Sequence, residues 1–309
     1  MSIDEQDLCL ELFLGWLAEA HGRQFQVEQR PFGELTARCS DGQRSMAVEV
    51  RSLLDPSEQE VWQSYRHELE EEISKGLTGA FALWLPPGAD IPAGAEYAGG
   101  FVQQVRQAAL ALEPGQRGQL SLPVKLHLRK SSDQGSLMSV VGGLDPYWVS
   151  MSEPMRGSFD LDSTAIHRLT ESEEERQELI GRICAEASHI ERRGHWLAID
   201  AADVWTIQRL QQGQGLIIVG APPELTSDLG TGVRRNLRRI LSDAGPRLAS
   251  AGTDLTALVI LGIYQYADAE NVSTALRGFD PGFYTTIDFI CLAADGWLKP
   301  ITQPVTRPS

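Results

Sequence analysis

The sequence predicts an α/β protein. Short apolar runs of strand length alternate with stretches of helical periodicity along most of the chain. Asp41-Gly42 sits between two strand-like segments and marks a hairpin. The two halves show the same alternation, with no repeat of fixed period and no low-complexity run.

Asp4 to Ala20 reads as the first helix. Leu8, Leu12, Phe13, Trp16 and Leu17 give it a broad apolar face, and Gly22 stands in the usual stop position. Three extended segments follow, Phe25–Arg30, Glu34–Cys39 and Ser45–Ser52. A second helix spans Glu58 to Ser74, with Ser57 and Glu60 placed as a capping box. Ala80–Leu85 is an apolar strand stopped by Pro86-Pro87. A helix over Tyr97–Leu112 and a strand over Leu120–Arg129 come next, and Leu137–Val141 reads as the return of a hairpin. Residues 142–170, rich in Gly, Pro, Ser and Asp, read as an irregular connection. Beyond it come a helix at Glu173–Arg192, strands at His195–Ile199 and Gly215–Val219, and an Arg-rich helix at Gly232–Leu248. Strands at Leu255–Tyr264 and Thr286–Leu292 follow, then a turn at Asp295-Gly296 into Trp297–Ile301. The expected organisation is a core over residues 1–141, the connection over 142–170, and an α/β extension over 171–309 packing on the same body.

The apolar fraction of 42% and charged fraction of 22% are those of a globular protein; only the Pro/Thr/Ser-rich end after Ile301 reads as disordered. The run Leu255–Ile263 is far too short to span a bilayer, and Met1 to Asp7 is acidic where a secretion signal is basic. Cys9, Cys39, Cys184 and Cys291 are scattered without a CxxC pair, so the expected location is the reducing cytoplasm. The balance of 27 Lys and Arg against 42 Asp and Glu gives −15, which opposes autonomous duplex-DNA binding but leaves room for a local basic patch.

The segment Gly33-Glu34 to Gly42, followed by Glu49-Val50-Arg51, carries the most specific chemical signal. Alternate residues of a strand share a face, so Glu49 and Arg51 point together. An acid at the start of the neighbouring strand can converge on them. In these residues the N-terminal part resembles the PD-(D/E)xK nuclease superfamily. The resemblance implies a restriction-endonuclease-like core (helix, three strands, helix, strand) and Mg²⁺ held by two acids for phosphodiester hydrolysis. It would place Glu34 and Glu49 as metal ligands with Glu11 (or Glu5) from the first helix, and Glu34, Glu49, Arg51 and Gln63 (or Gln59) as the catalytic set. The family's Pro-Asp is Gly33-Glu34 here and its lysine is Arg51. Arginine stays charged and prefers forked contacts with carboxylate or phosphate, so it is a poorer partner for a water nucleophile. An exposed Glu49–Arg51 ion pair with Val48 and Val50 facing the core is the alternative. The expectation is that Glu34, Glu49 and Arg51 meet at the sheet's edge, on the face toward the first helix.

Glu68, Glu70, Glu71 and Glu72 read as a solvated face, with Glu71 linked to Lys75. Arg234, Arg235, Arg238 and Arg239 form a basic stripe that could contact phosphates or pair with acids. No P-loop, dinucleotide fingerprint, Gly-x-Ser-x-Gly elbow or paired histidine spacing is present. The expected function is a divergent, inactive or active, Mg²⁺-dependent nuclease-like protein acting on nucleic acid, and the resemblance implies a setting in bacterial defence or DNA maintenance. The alternative is a non-catalytic protein–protein interaction module on the same fold, favoured by the acidity and the seven tryptophans.

Overall fold

A computed structural model describes residues 3–92, 95–221, 229–262 and 269–302. The Pro/Thr/Ser-rich end beyond Thr302 and the last two residues of the strand expected at Leu255–Tyr264 lie outside the described residues. The chain forms two compact units, Met1–Gly118 with Thr206–Ser309, and Gln119–Trp205. The expected divisions at 141 and 170 both fall inside the second of these.

In the first unit, helix α1 (Glu5–His21) opens with a capping box between Asp4 and Asp7 and closes on Gly22 in the left-handed region. Strands β1 (Gln26–Gln29), β2 (Ala37–Ser40) and β3 (Ser45–Ser52) follow as an antiparallel meander. The Asp41-Gly42 turn joins β2 to β3 as expected. Helix α2 (Pro56–Ser74) starts two residues earlier than the sequence suggests, because Asp55, not Ser57, is the N-cap and pairs with Glu58. Strand β4 (Ala80–Trp84) and helix α3 (Ala95–Leu110) complete the N-terminal stretch. After the chain returns come β9 (Gly215–Val219), α6 (Leu229–Ala249), β10 (Leu255–Leu261), α7 (Ala269–Arg277), β11 (Phe289–Ala294) and β12 (Trp297–Thr302).

The main sheet runs β1-β2-β3-β10-β11-β12, with β3 parallel to β10 and β10 parallel to β11. Strand β3 is central, and its pattern splits by parity. Met46, Val48 and Val50 join the core under α1, with Leu8, Phe13 and Leu17. Ala47 joins the core on the opposite face, formed by Leu237, Ile240 and Leu241 of α6 and Val272 and Leu276 of α7. The strand after α2 does not enter this sheet. β4 pairs instead with β9 and with residues 206–209 at the end of β8 (Trp196–Arg209).

Strand β9 is an edge closed by a helix. Glu70 Oε1 accepts the Ile218 N–H at 2.7 Å, Ser74 Oγ accepts the Leu216 N–H at 2.9 Å, and Arg66 donates to the Ile218 carbonyl. Residues 66, 70 and 74 lie on one ridge of α2, so side chains stand where a further strand would pair. Glu70 is thus not part of a solvated face, and Lys75 pairs with Glu72 at 2.7 Å in place of the expected Glu71.

In the second unit, β5 (Arg117–Ser132), β6 (Ser136–Gly142), β7 (Gly157–Ser163) and β8 form the order β6-β7-β5-β8. Strand β7 lies between β5 and β6, so β6 is not the hairpin return expected at Leu137–Val141; it pairs in parallel with β7. Residues 142–170 are not an irregular connection, since they hold the short helix α4 (Trp148–Ser152) and β7. Helices α4 and α5 (Glu173–His189) share one core with Leu126, Leu128, Met138, Phe159 and Leu161 of the sheet. Among the described residues no helix is long and apolar enough to cross a membrane.

Candidate functional site: an acid-arginine cluster on strand β3

Glu49 and Arg51 share a face of β3, as strand alternation requires. That face looks toward α6, not α1, and lies mid-sheet, not at an edge. The Glu49 carboxylate is 1% exposed. Its Oε2 accepts from the Thr36 backbone N–H at 3.0 Å and the Thr36 hydroxyl at 3.3 Å. Its Oε1 lies 2.7 Å from Arg51 Nη2 and 3.4 Å from Arg247 Nη2. Neither contact to Oε1 is a well-aligned hydrogen bond, so these are charge contacts. Burial raises the Glu49 carboxyl above its ordinary value, and Arg51, Thr36 and Arg247 oppose that rise. Asp243 completes the cluster, 3.2 Å from Arg51 and 2.6 Å from Arg247.

Glu34 is placed differently from the expected ligand. Phe32 and Leu35 exchange both backbone hydrogen bonds at 3.0 Å, with Gly33 in the left-handed region at φ 59°. Gly33-Glu34 are therefore the two tip residues of a tight turn, and Glu34 lies three positions before β2 begins. The Glu34 side chain is exposed, and its backbone carbonyl accepts from Arg247 Nη1 at 3.3 Å. Arg247 thus joins Glu34 and Glu49, but through one backbone and one carboxylate.

The other expected ligands and catalytic residues are dispersed. Glu11 sits on α1, whose core lies on the opposite face of the sheet, and accepts from the Gln211 N–H at 2.8 Å. Glu5 pairs with Arg66 at 3.0 Å. Gln63 is exposed on α2, and Gln59 donates to the Leu54 carbonyl at 3.0 Å.

The basic stripe separates into two pairs. Arg234 and Arg238 lie over the Phe279 ring at 5.8 and 5.2 Å. Arg239 donates to the Leu54 carbonyl at 3.2 Å, and Arg235 stands 3.9 Å from both Asp55 and Glu58. Residues 235, 239, 243 and 247 form one row at four-residue spacing along α6. Arg247 and Asp243 are the site residues the sequence reading missed. Extending the four-residue spacing past Arg239 would have found them.

A divalent metal does not fit this cluster. Both oxygens of the buried acid are engaged, two guanidiniums stand beside it, and the second carboxylate, Asp243, is bound to the same arginines. A cation would have to displace them. Among the described residues no group of three or more His, Cys, Asp or Glu side chains is placed to hold a metal ion. Compared with known proteins, the chain matches no family model, no curated protein and no solved structure.

Proposed function

We propose that this chain is a non-catalytic α/β interaction module, in which the acid-x-arginine pair of β3 serves as a structural ion cluster. The carrying observation is the Glu49 carboxylate, buried and already engaged by Thr36, Arg51 and Arg247. A carboxylate so engaged fastens Thr36, just before β2, and β3 to α6; it is not poised to take a metal and a water.

A restriction-endonuclease-like core is the finer description of the fold. The order α1, β1, β2, β3, α2 and the position of Glu49-x-Arg51 on β3 support it. The placement of β4 in the other sheet, apart from β1, β2 and β3, counts against it. Mg²⁺-dependent cleavage rests on that resemblance alone. Nucleic acid as partner rests on the exposed part of the arginine stripe and is opposed by the net charge of −15.

The test is incubation with plasmid, single-stranded DNA and RNA in Mg²⁺ or Mn²⁺, beside Glu49→Gln and Glu49→Ala. The expected result is no cleavage above the metal-free control. Robust cleavage that both substitutions abolish would establish the nuclease reading in place of this one.

A further inference from the structure

The second unit covers only one face of its sheet. Residues facing α4 and α5 are buried and apolar on all four strands, including Met138, Phe159, Leu128 and Ile199. Among the described residues the opposite face is uncovered, and its chemistry is ordered by strand. β5 presents Lys125 and Arg129, both cationic. β7, beside it, presents Asp160 and Asp162, in register with Arg129 and His127. The outer strands carry exposed apolar groups: Trp196 on β8 is 54% exposed, and Leu137 and Val141 on β6 are 45% and 55% exposed. Within one copy the charges form cross-strand pairs, Arg129 Nε to Asp160 at 3.1 Å and Lys125 with Asp200.

We propose that this open face docks a second copy of the same chain. Charge complementarity under a twofold axis supports this pairing. Within this unit the order β6-β7-β5-β8, the first four strands of a sheet that runs on through β8 to β4 and β9, has its centre line between β7 and β5. A twofold axis along that line, midway between two sheets stacked ~10 Å apart, lays each cationic β5 over the anionic β7 of the other copy. The same operation lays Trp196 and its strand over the apolar β6 of the other copy. Arg129 then faces Asp160 of the second copy at the level where it already meets its own, so each charge gains a second opposite neighbour. Such an isologous contact satisfies both copies with one patch. A free β6 edge is the weaker route to association, because Ser152 Oγ already accepts the Met138 N–H at 2.8 Å.

Four strands ~4.8 Å apart and about six residues long give a footprint of roughly 400 Å² per copy. That is about half the standard patch per partner, the size of a weak, transient contact, so the self-association is expected only at high protein concentration.

The experiment is sedimentation equilibrium of the full chain from about 1 to about 200 μM, with Arg129→Asp, Asp160→Arg and Val141→Glu. All three positions are surface-exposed or half-buried, and circular dichroism checks that each variant stays folded. The wild type is expected to move from 34.0 kDa toward twice that mass. Each variant alone should weaken the dimer by about tenfold or more. Mixing Arg129→Asp with Asp160→Arg should restore association, because each reversed charge then meets its complement on the other chain. A wild type that stays monomeric overturns the proposal. So does a dimer indifferent to all three substitutions, or a mixture of the two charge variants that associates no better than either alone.

Discussion

The guanidinium of Arg247 touches Glu49 at 3.4 Å and Asp243 at 2.6 Å while donating to the backbone carbonyl of Glu34 at 3.3 Å. One side chain from α6 thus ties together the turn before β2, the middle of β3 and its own helix. Removing it leaves Glu49 buried with one cation fewer. Arg247→Met is expected to lower stability by about 2–4 kcal/mol in urea unfolding. Adding Glu49→Gln to Arg247→Met should recover part of that loss, since the uncompensated charge is gone. If the double variant is as unstable as the sum of the singles, the two residues do not act as a pair.

Protonation of Glu49 gives a second check. Burial raises its carboxyl in the folded state, against the opposing pull of Arg51, Thr36 and Arg247. An acid with a raised folded pKa binds its proton more tightly folded than unfolded. Its contribution is therefore most favourable below the ordinary value of 4.5 and declines as pH rises through the raised one. The stability of wild type relative to Glu49→Gln should fall as pH goes from about 4 toward neutrality, read by thermal melts across that range. A difference that grows with pH would contradict this placement.

Asp203 behaves in the opposite sense. It is 3% exposed, and although burial alone would raise its carboxyl, hydrogen bonds from His167, Arg168 and Trp205 bring it below the ordinary value of 3.8. Its stabilisation is full above 3.8 and is lost as pH falls through the lower folded value. Asp203→Asn should cost about 1–3 kcal/mol at neutral pH, with the deficit shrinking in acid. Equal melting curves at neutral pH would remove Asp203 from its role in fixing His167 and Arg168 to β8.

At the β9 edge, Glu70→Ala should cost about 1–3 kcal/mol by leaving the Ile218 N–H unpaired. It should also raise aggregation on heating, because the edge is then open to another strand. Glu70→Gln keeps an acceptor and should cost less. Light scattering during a melt separates the two, and indistinguishable curves would mean that α2 does not close the edge.

The hairpin at Asp41-Gly42 and the extent of β3 were legible because side-chain alternation and turn chemistry are local. The pairing of Glu49 with Arg51 followed from the same alternation. Their face did not, since Ala47 and Val48 are both apolar and either side of β3 could have met α1. The neighbour of β3 was also hidden. It is β10, about two hundred residues away in sequence, and no local pattern distinguishes its apolar run from that of β4. Glu34 was misplaced because Gly33 takes the left-handed conformation and makes a tight turn where strand periodicity suggested extended chain. Burial of Glu70 was invisible because the backbone it satisfies belongs to β9, far along the chain.

Whether the Glu49 cluster is a structural ion network is tested most directly by calorimetric titration of Mg²⁺ and Mn²⁺ into the wild-type chain and into Glu49→Gln. The expected result is no saturable heat in either protein, with Glu49→Gln still folded. Stoichiometric binding to the wild type that disappears in Glu49→Gln would contradict the account and return Glu49 to the role of a metal ligand.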